Sequence, residues 1–153
     1  MDLILWRHAE AMEGEDDMRR PLTAKGRKQA RAMAAWLNKR FDNTVVKVMA
    51  SEALRSQETA KALNRPVITD ARLNPGALAG RYLEVSNWPM QTGKVLVLVG
   101  HQGELGRAAG IIMTGKEQDW QVRRGACWWL QRRVKDGQIS YLLRAVMTPE
   151  LLM

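Results

Sequence analysis

Val95-Leu96-Val97-Leu98-Val99-Gly100-His101 opens with five consecutive apolar residues and closes on a Gly-His pair. A short apolar run without polar alternation reads as a parallel strand buried on both faces. Leu3-Ile4-Leu5-Trp6-Arg7-His8 has the same form and also ends on a histidine, and Val45-Val46-Lys47-Val48-Met49 is a third such run. Pro66-Val67-Ile68-Thr69 is a weaker strand whose proline suits a first position. Helical patterns lie between the runs. Thr23 can cap a helix in which Ala30, Met33, Ala34 and Leu37 fall on one stripe. Ser51 to Leu63 and Glu104 to Met113 read as two more helices, and Ala77 to Trp88 is ambiguous. Strands alternating with helices of this length predict βαβ units in the α/β class: a three-layer α/β/α sandwich around a mostly parallel sheet. Near the end, Ala126–Arg133 and Gln138–Met147 flank Lys135-Asp136-Gly137, a hairpin signal that predicts antiparallel C-terminal edge strands.

With 153 residues, 46% of them hydrophobic, the chain suits one domain over 1–153 with a core large enough to fold unaided. No repeat, low-complexity tract or linker divides it. Cys127 is the single cysteine, which excludes an intramolecular disulfide and suits a buried packing residue. The start lacks the pattern of a secretory signal, and no apolar run nears the ~20 residues of a membrane span. A cytoplasmic protein without membrane contact is expected, with a monomer favoured. The net charge of +8, most of it carried by arginine, points to an anionic partner, and arginine's planar fork suits phosphate. Glu10, Glu13, Glu15, Asp16 and Asp17 cluster early and Arg123, Arg124, Arg132, Arg133 and Lys135 late; both runs read as solvated faces.

The two histidines of the chain, His8 and His101, each follow a buried strand. Ligands of open α/β sheets bind outside the carboxyl ends of strands, so neighbouring parallel strands would bring both imidazoles to one crevice. Val45–Met49 ends at Ala50-Ser51, and Arg55 follows four residues later near the start of a helix, so Arg7 and Arg55 project at the same rim. Two guanidiniums, two imidazoles and helix N-termini suit a phosphoryl dianion. Other chemistries lack support. There is no GxxxxGK[ST], GxGxxG or GxSxG pattern, and two distant histidines with one cysteine give no zinc spacing. No metal or cofactor is therefore expected. Trp128 and Trp129 could stack bases, but neighbours on one strand face opposite sides, and no nucleic-acid motif accompanies them.

Four blocks in order, Leu5-Trp6-Arg7-His8-Ala9-Glu10-Ala11, Arg20-Pro21-Leu22-Thr23-Ala24-Lys25-Gly26, Ser51 with Leu54-Arg55-Ser56-Gln57-Glu58-Thr59-Ala60, and Leu98-Val99-Gly100-His101, resemble the histidine phosphatase superfamily. The likeness is greatest to its compact SixA-type branch of phosphohistidine phosphatases and covers about the whole chain. It implies a phosphoglycerate mutase-like fold, His8 as nucleophile, and phosphate binding by Arg7, Arg55 and His101. Gln102, next to His101, is a further candidate phosphate ligand. The chain departs from the family's usual Gly after the catalytic His (Ala9), from Ser-Pro (Ser51-Glu52) and from a Pro after the second His (Gln102-Gly103-Glu104). The larger branches carry an acidic proton donor in an insert where this chain has no carboxylate from residue 71 through 83. Glu84 could serve only if the chain folds back. The resemblance thus implies a metal-independent phosphatase for histidine-phosphorylated proteins. The alternatives are a broad phosphomonoesterase of small esters and a non-catalytic phosphate- or nucleic-acid-binding module.

Overall fold

The computed structural model describes residues 1–42, 44–87 and 94–153. In chain order these form β1 (Asp2–Arg7), α1 (Ala24–Phe41), β2 (Val46–Ala50), α2 (Leu54–Lys61), β3 (Val67–Thr69), α3 (Ala79–Ser86), β4 (Val95–Gly100), α4 (Glu104–Thr114), β5 (Cys127–Lys135) and β6 (Gln138–Met147). The sheet order is β3-β2-β4-β1-β5-β6. β3, β2, β4 and β1 are mutually parallel, whereas β5 and β6 add antiparallel strands beyond β1.

The double-sided burial of β1 and β4 follows from their alternation. Leu3, Leu5, Leu96 and Leu98 point to the face covered by α3 and α4, where Tyr82, Val85, Leu105, Ala109 and Ile112 join them. Ile4, Trp6, Val95, Val97 and Val99 point the other way, onto Met33, Leu37 and Phe41 of α1 and Ala60 of α2. This gives the three expected layers. Trp128 and Trp129 divide between the two faces, and the Cys127 sulfur lies 3.7 Å from that of Met33 in the second core. Asp136 and Gly137 both take positive φ, 52° and 75°, the backbone of the tight hairpin that Asp-Gly predicts.

Most element boundaries move by one or two residues from the sequence expectation, and two helices differ more. The second helix starts at Leu54 instead of Ser51, because Ser51 turns the chain: its Oγ accepts the Ala53 N–H at 3.3 Å. The ambiguous segment is helical over Ala79–Ser86 and ends on Asn87 in the left-handed region; Trp88 lies outside the described residues. Among the described residues no helix is long and apolar enough to cross a membrane.

Candidate active site

β1 and β4 are adjacent and parallel with Arg7 opposite Gly100, so the residues that follow, His8 and His101, leave the sheet side by side. The His8 N–H donates to the Gly100 carbonyl at 3.0 Å, and the ring centroids lie 5.2 Å apart. The sheet topology alone thus brings together two residues 93 positions apart in the sequence.

The tautomer of His8 follows from its contact. Nδ1 lies 2.8 Å from the Ala9 carbonyl oxygen. A carbonyl only accepts, so Nδ1 carries the proton and the lone pair is on Nε2. Burial, aided by the charges of Arg55, Arg7 and Arg20, outweighs the Ala9 hydrogen bond and lowers the His8 pKa to about 4. The imidazole is therefore neutral and nucleophilic at neutral pH. His101 Nε2 meets Ser51 Oγ at 2.8 Å and Ser56 Oγ at 3.3 Å, and Nδ1 has no protein partner among the described residues. Burial, then His8 and Arg55, lowers the His101 pKa to about 3.

Arg55, on the first turn of α2, is only 3% exposed. Its Nη1 donates to the Asp17 carbonyl at 2.7 Å and its Nη2 to Asp17 Oδ2 at 3.2 Å. Arg7 Nη1 donates to the Val122 carbonyl at 2.9 Å. Both Nε atoms are buried without a hydrogen-bond partner among the described residues. Orphaned guanidinium donors of this kind are what a bound oxyanion would satisfy. Arg20 completes the group: its Nη2 lies 3.1 Å from Asp17 Oδ1. The early acidic run is thus not merely a solvated face, because Asp17 bridges two arginines. Although its desolvation acts the other way, hydrogen bonds and charge from Arg55 and Arg20 hold the Asp17 carboxyl below the usual range.

The polar residues of the Arg55-Ser56-Gln57-Glu58-Thr59 block all engage the surrounding loops. Ser56 reaches His101, Gln57 donates to the Ser51 carbonyl at 2.7 Å, and Glu58 accepts the Leu22 N–H at 2.8 Å. Thr59 Oγ1 accepts the Ala9 N–H at 3.0 Å and donates to the Arg55 carbonyl at 2.8 Å, joining the His8 loop to the arginine's helix. Ala9 fits without strain in place of glycine, since its φ is not positive. Glu52, in place of proline, exchanges two hydrogen bonds with the Asn74 side chain. Gly103, after Gln102, takes φ 94°, a conformation that excludes the usual proline from that position.

Gln102 sits beside the site with its amide already engaged: Oε1 accepts the Val122 N–H at 2.8 Å and Nε2 donates to the Trp120 carbonyl at 3.3 Å. It thereby holds the segment whose Val122 carbonyl orients Arg7. Tyr82 OH donates to the Leu73 carbonyl at 3.0 Å and accepts the His101 N–H at 3.3 Å. A Cβ at Gly100 would collide with that hydroxyl, so glycine is required there. Glu84 pairs with Arg81 at 3.1 Å on the exposed face of α3. Local pattern assigned no role to Asp17, Arg20 or Tyr82; the signal available was that Arg20 opens the Arg20–Gly26 block and that Tyr82 lies two residues before Glu84.

The sequence model of the histidine phosphatase superfamily (branch 1) matches residues 3–87. The chain belongs to the histidine phosphatase superfamily. An uncharacterised protein of Picosynechococcus sp. is 30% identical over 128 residues, 76% of this chain and 75% of that protein. Among solved structures, SixA of Agrobacterium tumefaciens superposes with a TM-score of 0.77 at 20% identity, covering 97% of each chain. The protein histidine phosphatase SixA in complex with tungstate gives 0.76 at 22% over 100% of both chains. A mycobacterial glucosyl-3-phosphoglycerate phosphatase gives 0.69 at 20%, over 94% of this chain and 97% of that one. These superpositions establish the SixA-like, phosphoglycerate mutase-like fold, and membership of the superfamily makes the protein a phosphatase.

Proposed function

We propose that the protein is a cytoplasmic, metal-independent phosphohistidine phosphatase acting on proteins, with His8 as the nucleophile. Neutral His8 Nε2 attacks phosphorus in line, forming an N–P bond as the substrate's P–N bond breaks. An imidazole already protonated on its other nitrogen departs neutral. Water then attacks the His8 phosphoramidate; the new P–O bond replaces Nε2–P, the imidazole is regenerated, and a proton goes to the medium with phosphate. Splitting the transfer in this way gives two easier steps. Arg7 and Arg55 stabilise the equatorial oxygens with charge held in place before reaction, and neutral His101 contributes by hydrogen bonding.

The observation that carries the substrate class is the state of the carboxylates. Asp17 beside Arg55 is held ionised by two arginines, so it accepts hydrogen bonds and does not donate a proton. Glu84 is tied to Arg81. An alkoxide leaving group needs general acid help worth ~10²–10⁴ in rate, and an imidazole does not. That asymmetry favours phosphohistidine over the small-ester reading.

The test is a turnover panel of phosphohistidine, phosphoserine and phosphotyrosine proteins and small phosphate esters, with quenched reactions examined for acid-labile, base-stable phosphate on His8. P–N and aryl substrates should turn over, alkyl esters scarcely, and His8→Ala should be inactive. Efficient alkyl-ester hydrolysis, or phosphate found on Ser51, would overturn the reading.

A further inference from the structure

Beside Arg7 lies a cavity of about 300 Å³, lined from α1 by Lys25 and Gln29 and from the segment before β5 by Arg123 and Arg124. Its cations outnumber its anions. Glu10 and Glu150 also line it, but the Glu10 carboxylate is engaged: Oε2 accepts the Thr23 hydroxyl at 2.7 Å, and Oε1 lies 3.5 Å from Arg124 Nη1. Lys25 and Arg123 have no carboxylate partner among the described residues. Arg124 lies near enough to Arg7 for the two like charges to oppose each other, adding to the effect of burial on Arg7.

Gln29 gives an independent sign of a ligand. It is 3% exposed, its Oε1 accepts the Glu10 N–H at 3.0 Å, and its amide NH₂ has no partner among the described residues although the side chain borders the cavity. A donor without a protein partner, carried on a buried side chain and facing a cavity beside unpaired cations, suits an oxyanion.

We infer that this cavity is a second subsite that binds a carboxylate of the substrate while the phosphoryl group occupies the clamp formed by Arg7, Arg55 and His101. Arg7 borders both sites, so a single molecule can reach both with its two anionic groups. The volume admits one side chain and not a folded surface. Resting on the phosphohistidine reading, the occupant is the carboxylate of an Asp or Glu side chain close to the phosphohistidine.

The experiment compares 3-carboxyphenyl phosphate with phenyl phosphate, and phosphohistidine peptides bearing a nearby Asp with the same peptides bearing Ala. Each pair is run on wild type, Lys25→Ala, Arg123→Ala and, as a charge-matched control on the hairpin, Arg133→Ala. Wild type should prefer the carboxylate-bearing member through a lower KM. A charged hydrogen bond is strong enough that the preference should shrink about tenfold in Lys25→Ala and Arg123→Ala and persist in Arg133→Ala. No wild-type preference in either pair, or an equal loss in all three variants, would overturn the subsite. A preference confined to the aryl esters, with phosphohistidine peptides not turned over, would uphold the subsite but overturn its protein occupant and the phosphohistidine reading with it.

Discussion

Asp17 Oδ2 lies 3.2 Å from Arg55 Nη2 while Oδ1 of the same carboxylate lies 3.1 Å from Arg20 Nη2. One carboxylate bridging two guanidiniums is the arrangement a phosphoryl group would itself adopt, so Asp17 sets an internal negative charge against the incoming dianion. Asp17→Asn removes that charge but keeps the main-chain carbonyl that orients Arg55 Nη1. With the side chain half exposed, screening limits the effect, and vanadate or tungstate should bind roughly tenfold more tightly. Calorimetric titration of the two proteins checks this; weaker binding in the variant would show that the carboxylate's main role is to position Arg55.

The arginines of the clamp should separate from the residues that support them. Arg7→Ala and Arg55→Ala should each lower turnover by at least ~10²–10³, the usual loss for one preorganised transition-state donor. Gln102 acts on Arg7 only through the Val122 backbone, so Gln102→Ala should cost roughly tenfold and Gln102→Glu should recover little, because its carboxylate cannot donate to the Trp120 carbonyl. EDTA should leave all rates unchanged. Equal small losses for Arg7, Arg55 and Gln102 would mean that only diffuse positive charge acts at the site.

Much of this arrangement was legible in the sequence because it depends on local pattern. The alternation of Leu3 and Leu5 with Ile4 and Trp6 encodes a strand covered on both faces, and a histidine after two such strands encodes a shared crevice. Arg55 followed because a helix begins just past β2. What stayed hidden depends on distant partners. Asp17 sits in an acidic run that local charge pattern makes indistinguishable from a solvated face; only the fold brings Arg55, 38 residues away, against it. Gln102 looked like a phosphate ligand by its place beside His101, yet its partners come from residues 120 and 122, which sequence spacing does not reveal.

Glu104 is buried at the start of α4, with Oε1 3.6 Å from Arg107 and Oε2 without a hydrogen-bond partner among the described residues. Burial raises its pKa above the usual carboxyl range despite the backbone N–H bonds and Arg107. Between the unfolded and the raised folded pKa the native state binds more protons than the unfolded one, so this group lowers stability as pH rises through that window. Glu104→Gln should therefore raise Tm at pH 7, with the gain shrinking as pH falls through that window and gone below the unfolded carboxyl pKa. Thermal melts across that range decide it; a Tm loss at pH 7 would mean that the helix N-terminus and Arg107 more than offset the burial.

The two histidines give the opposite slope and tie stability to activity. Their folded pKa values, about 4 for His8 and about 3 for His101, lie below the ordinary 6.5. As pH falls below 6.5 the unfolded state takes up protons that the native state refuses, so stability is full above 6.5 and declines until each folded pKa is passed, by up to about 1.4 kcal/mol per pH unit and histidine. His8→Gln should reduce that acid slope by one histidine's share, measured by urea unfolding between pH 4.5 and 7. The same depressed value keeps Nε2 unprotonated, so once the substrate's own phosphoryl ionisation is factored out, the acid limb of kcat/KM should bend near 4 and not near 6.5. A limb at 6.5 in the free enzyme, with an unchanged unfolding slope in His8→Gln, would show that the imidazole is solvated and that burial does not set its reactivity.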